Sequence, residues 1–148
     1  MFERWIVPCN LKHFNIQEHF AINKTVVWKN SFTIRVEDLA YIYISAPISA
    51  IKYRCRVVAD DVSDEMLNAN KYAIPKRESH NYFSKRTKYI VLKLEKEYPD
   101  DFLTLEALRQ HGLGQVQIQA RIDRRLGKYI EEIDNIKPMD LDGGDSNA

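Results

Sequence analysis

The chain predicts an α+β fold: a curved, mostly antiparallel β-sheet flanked by short α-helices. Three observations carry this reading. Leu39 to Ala46 is apolar on both faces, and across Pro47 it is followed by a long alternating stretch from Ile48 to Asp60. Such a pair reads as an antiparallel hairpin whose first strand is central and buried. Helical periodicity is confined to short segments, and no strand–helix–strand unit repeats, which speaks against a parallel sheet.

In chain order, Trp5-Ile6-Val7-Pro8-Cys9 opens as a short strand, with Pro8 marking a strand end or edge. Asn10 is placed to cap a helix over Leu11 to Phe20. Residues 21–38 read as irregular, with one strand around Phe32 to Val36, and Glu37-Asp38 turns into the buried strand. In the second hairpin strand Ile51, Tyr53, Cys55 and Val57 share one face while Lys52, Arg54 and Arg56 share the other. Residues 61–70 suit a helical turn, and 71–88 form a loop longer than an idle connection needs. Tyr89 to Lys96 alternates as a strand. Thr104 caps a helix over Leu105 to His111 that stops at Gly112. Gln115, Gln117 and Gln119 alternate in a short extended stretch. The last helix sets Ile122, Leu126, Tyr129, Ile130 and Ile133 on one stripe.

These elements make one domain over residues 1–133, followed by an acidic tail, 134–148, that is expected to be disordered. The formal net charge of +1 hides a division. Residues 131–148 hold six carboxylates against Lys137, a balance of −5, which leaves +6 on residues 1–130. A basic body favours an anionic partner such as nucleic acid. Mean hydropathy is −0.44, no apolar run approaches the roughly 18 residues of a membrane span, and the N-terminus lacks a secretory layout. A cytoplasmic protein with no membrane partner is therefore expected, with Cys9 and Cys55 as buried thiols.

Trp28 stands out as an indole in a polar stretch, Asn23-Lys24-Thr25-Val26-Val27-Trp28-Lys29-Asn30, ahead of the aromatic strand Tyr41-Ile42-Tyr43-Ile44-Ser45. A flat aromatic there suits a slot that stacks on a planar ligand, most naturally a nucleobase; plugging the end of a small barrel explains it equally well. The order of these features resembles the EVE domain of the PUA-like superfamily, a relative of the YTH readers of methylated RNA. The resemblance rests on Trp5 to Asn10, Trp28, the acidic turn Glu37-Asp38 into the tyrosine strand, Pro47, the strand ending Val57-Val58, and the glutamine-bearing segment from Gly114 to Arg121. It spans about residues 4–133. Where this chain has Glu37-Asp38 the family often shows Gly-Asp, a substitution that is tolerable if the turn needs no positive φ.

The resemblance implies a PUA-like pseudo-barrel that reads a flipped, modified base, in DNA ahead of RNA, as modification-dependent restriction systems with a partner nuclease do. Trp28 is then the stacking wall, with Tyr43 and Ser45 at the mouth and Asn10, Gln115 and Gln117 as amides able to read a base edge. Core packing for Tyr43, a helix cap for Asn10 and an exposed edge strand for the glutamines are the plainer explanations. The loop carries Lys76, Arg77, Lys85, Arg86 and Lys88 between Tyr72, His80, Tyr82 and Phe83. Cations interleaved with aromatics suit a nucleic-acid backbone and its unstacked bases, and Arg121 is placed for a phosphate. No nucleophile–base grouping, metal-ligand spacing or glycine-rich phosphate loop supports catalysis, so neither enzyme activity nor a cofactor is expected. The alternatives are an RNA-binding or RNA-processing protein of the PUA-like ASCH kind, for which His80 with Lys85 or Lys88 is the available catalytic set, and a protein-interaction module.

Overall fold

The computed structural model describes residues 2–30, 32–62 and 88–136. Six strands form one mixed sheet: β1 (Arg4–Cys9), β2 (Thr25–Lys29), β3 (Leu39–Ile44), β4 (Ala50–Val62), β5 (Tyr89–Glu97) and β6 (Ala120–Arg121). Among the described residues three short helices flank it: α1 (Ile16–Ile22), α2 (Leu105–Gln110) and α3 (Arg124–Ile136). The strand order is β2-β5-β4-β3-β1-β6. The fold is α+β and the sheet is mostly antiparallel, as expected, but it is not closed and it contains one parallel pair, β1 with β3.

The central strand β3 is buried at every position because both of its faces carry a core. On one face Trp5, Val7, Phe14, Phe20, Trp28 and Ile42 pack with Tyr53, Cys55 and Leu92 under α1. On the other, Ile6, Tyr41 and Tyr43 pack with Tyr98, Leu108, Leu126 and Ile130 under α2 and α3. The predicted C-terminal stripe accounts for the second core, with Ile122, Leu126 and Ile130 buried. Register shifts interrupt β3–β4 once and β4–β5 three times. Irregularities of this kind bend a sheet and increase its twist.

Four local expectations change. Asn10 does not cap a helix: its Oδ1 accepts from Lys12 N at 2.9 Å in an exposed turn, and the helix starts later, capped by Asn15, whose Oδ1 accepts from Glu18 N at 3.2 Å. The second strand is Thr25–Lys29, pairing with β5, and not Phe32 to Val36. Gln115 folds back on its own turn, its Oε1 accepting from Gln117 N at 2.8 Å and Ile118 N at 3.1 Å, so only Ala120 and Arg121 pair with β1. The last helix begins at Arg124, with Asp123 Oδ1 taking the Leu126 N–H at 2.9 Å, and it runs on through Asp134 to Ile136. Cys9 and Cys55 are both buried thiols.

Candidate nucleic-acid interface

The sheet's two edges, β2 and β6, approach each other at one point. Gln119, buried just before β6, donates from Nε2 to the carbonyl of Lys29 at the end of β2, at 2.6 Å. Beneath this seam the indole of Trp5 is held by Asp38, a buried carboxylate. Its Oδ2 accepts from Trp5 Nε1 at 3.0 Å and Arg35 N at 3.0 Å, and its Oδ1 from Glu3 N at 2.9 Å. Trp5 in turn supports two outer groups. The Arg121 guanidinium lies 5.2 Å from its ring centroid. The Phe32 ring stacks on it at 6.3 Å and 19° between planes while remaining 47% exposed. A phenyl ring left half in water on an anchored indole is a platform for another flat group.

Asn30 organises the loop that carries Phe32. Its side-chain oxygen accepts from Phe32 N at 3.2 Å and Ile34 N at 3.4 Å, and its amide donates to Ile34 O at 3.0 Å. Its backbone N–H reaches Lys88 O at 2.9 Å, tying the loop to the start of β5. Ile34 plugs into the core, and Val36 N donates to Asp60 Oδ2 at 3.0 Å. The result is an open cleft of about 230 Å³ whose walls include Phe32, Thr33, Arg35, Asp60 and Lys88. Arg35 and Lys88 are exposed and make no ion pair among the described residues. The cleft therefore offers an aromatic plane, two cations and one carboxylate.

The turn that follows is strained. Glu37 has φ of +79°, so this position does require the left-handed region that glycine enters without cost. The turn is pinned by Glu37 N to Val57 O at 2.9 Å and by Arg56 donating to Glu37 O at 3.0 Å.

The base-binding set expected from the sequence is not gathered around one cavity. Trp28 is 5% exposed and meets Phe14 at 5.7 Å between ring centroids, inside the core under α1. Tyr43 is buried in the other core, because its parity on β3 sends it through the opposite face of the sheet. Ser45 donates its backbone N–H to Cys9 O at 3.1 Å. It and Asn10 therefore sit beyond the far end of β1, roughly 13 Å along the strand from Trp5. Gln115 and Gln117 are exposed on a turn. Of the cations, Lys88 and Arg121 are at the seam, whereas Lys76, Arg77, Lys85 and Arg86, with His80, lie outside the described residues. Phe32, Arg35, Asp60 and Gln119 were missed. The one local signal was an aromatic, Phe32, in a polar stretch beside Asn30.

A second polar cluster lies between the sheet and the end of α3. Asp134 Oδ1 accepts from Tyr98 OH at 2.9 Å and Lys96 Nζ at 3.2 Å, while its Oδ2 meets Arg54 at 3.3 Å. Arg54 and Arg56 share Glu95, and Arg4 pairs with Glu131. Burial raises the phenols of Tyr98 and Tyr41 above their ordinary range, with the Asp134 charge adding to the effect. Among the described residues no group of three or more His, Cys, Asp or Glu could hold a metal, and no helix is long and apolar enough to cross a membrane.

No family model matches the chain, and no curated protein matches it. Solved structures do. ASCH from Zymomonas mobilis superposes with a TM-score of 0.62 at 10% identity, over 88% of this chain and 94% of that one. A Ser-to-Ala mutant of the same protein reaches 0.66 at 11% identity, over 88% and 96%. A hypothetical protein from Leishmania major gives 0.63 at 14% identity, over 93% and 98%. At these identities the likeness is one of fold alone: the α+β fold of this chain is shared with ASCH from Zymomonas mobilis.

Proposed function

We propose that this chain is a nucleic-acid-binding domain that takes an unpaired strand, RNA ahead of DNA, across the β2–β6 seam. The observation that carries the reading is Phe32, an exposed ring stacked on the anchored Trp5 with Arg35, Lys88 and Arg121 around it. Single-strand binders combine these parts: a π-face on which any base can stack, and cations that follow the backbone. Duplex offers no free base face to such a platform. The ASCH-type fold supports RNA over DNA and supports the RNA-binding alternative better than an EVE-type reader.

The test is equilibrium binding of single-stranded RNA, the same sequence as DNA, and both duplexes. Single-stranded RNA should bind most tightly. Phe32→Ala should cost about 1–3 kcal/mol of affinity with the melting temperature nearly unchanged. Equal retention of duplex, or no loss in Phe32→Ala, rejects the seam as the site; no retention of any strand at low salt favours a protein-interaction module. Cleavage of the RNA during the assay, abolished by His80→Ala, would turn the reading toward a ribonuclease. The modified-base reader in DNA remains a second reading on sequence order alone. It predicts a preference among cytosine, 5-methylcytosine and N6-methyladenine strands.

A further inference from the structure

We propose that Asp60 makes the seam cleft selective for a base with an amino group on its pairing edge, guanine first; this rests on the seam being a site for an unpaired strand. Asp60 lies where the β4–β5 ladder is most irregular, with register shifts between Val57 and Ala59 and between Ala59 and Val62. Irregularities of this kind re-aim side chains, and here the carboxylate lines the same cleft as Phe32, Arg35 and Lys88. Among the described residues it accepts one hydrogen bond, from Val36 N to Oδ2 at 3.0 Å. A carboxylate offers about four acceptor positions, so most of its capacity is left over on the cleft wall; among the described residues it makes no ion pair.

An ionised carboxylate only accepts hydrogen bonds, so beside a base stacked on Phe32 it rewards N–H groups and penalises carbonyls. Guanine presents N1–H and the N2 amino group side by side. Cytosine and adenine present one amino group next to a ring acceptor, and uracil presents one N–H between two carbonyls. Arg35 and Lys88 outnumber Asp60 in the cleft, so the carboxylate does not turn the site against a polyanion.

The test is binding of the full chain to uridine-tract RNA carrying one central guanosine, inosine, cytidine or uridine. Inosine is guanosine without the 2-amino group. The guanosine strand should bind roughly tenfold more tightly than the inosine or uridine strand. Asp60→Asn keeps an oxygen for Val36 N–H but adds a donor, and should bring all four strands within about twofold of one another. Wild-type protein that binds the four strands equally overturns the proposal without needing a variant, and so does Asp60→Asn with the guanosine preference intact. In both of those outcomes strand binding survives, and with it the seam. Failure of every strand to bind at low salt removes the seam and this inference together.

Discussion

At the end of α3 the charged and aromatic side chains answer one another, whereas along the β2–β6 seam they face solvent. Asp134 joins Arg54, Lys96 and Tyr98, and Glu95 serves Arg54 and Arg56. The seam has comparable ingredients in Arg35, Lys88, Arg121 and Phe32, yet its buried carboxylate, Asp38, is used up on Trp5 and two backbone N–H groups, and of the three cations only Arg121 has an ion pair among the described residues, a long exposed one to Glu3 at 3.9 Å. Residue type does not separate the two regions. Pairing does: a cluster whose charges are mostly answered by one another, with Arg54 Nε lacking a hydrogen bond, holds the fold, and one whose cations and ring plane are left over is available to a ligand.

The sharpest way to break this contrast is through the buried aromatics. Trp28→Ala should cost about 3–5 kcal/mol of stability, read in denaturant melts, while any variant that stays folded keeps its strand preferences. Asp134→Ala should cost about 3 kcal/mol by leaving Lys96 and Tyr98 without their carboxylate and Arg54 with Glu95 alone, with strand affinity unmoved. The same cluster sets an alkaline limit. Tyr41 and Tyr98 have raised pKa values in the fold, so their contribution is intact below the unfolded value of about 10 and is lost as pH rises beyond it, when only the unfolded chain releases the protons. Melts at rising pH should show stability falling above that point, and less steeply in Tyr98→Phe.

At the seam the expectation reverses. Replacing Arg35 and Lys88 together by Ala should leave stability within about 0.5 kcal/mol. Affinity should fall for every strand, and the salt dependence should flatten by about one unit of slope per phosphate contact removed. The smallest effect is expected at the turn between the regions. Glu37→Gly relieves the positive φ at the expense of a more flexible unfolded chain, a net gain of about 0.5 kcal/mol. A loss there would mean that the Glu37 side chain contributes something its backbone bonds do not.

Much of the fold was legible because it rests on periodicity. The double-sided burial of β3, the alternation of β4 and β5, and the stripe of α3 each follow from which faces meet a core. The strand β2 was not, since Val26, Val27 and Trp28 are all buried and show no alternation, and their polar flanks look like a turn. The helix start slipped from Asn15 to Asn10 because an asparagine that closes a turn on itself and one that caps a helix read alike. The parallel β1–β3 pair has no local signature at all. The site was the least legible part. Its cleft joins Asn30 and residues 32–35 to Asp60 and Lys88, a juxtaposition made by strand pairing and invisible to any window along the chain.

An open sheet ends in two edges, and a bare edge invites a foreign strand. Here β6 is only two residues long. On β2, which hydrogen-bonds to β5 through Lys24 and Asn30, the carbonyls of Thr25 and Lys29 are met by side chains, His19 Nε2 at 2.7 Å and Gln119 Nε2 at 2.6 Å. An incoming strand would have to evict both before it could pair. The side chain that gathers the seam thus also guards it: Gln119 denies the rim of the sheet to edge-to-edge aggregation.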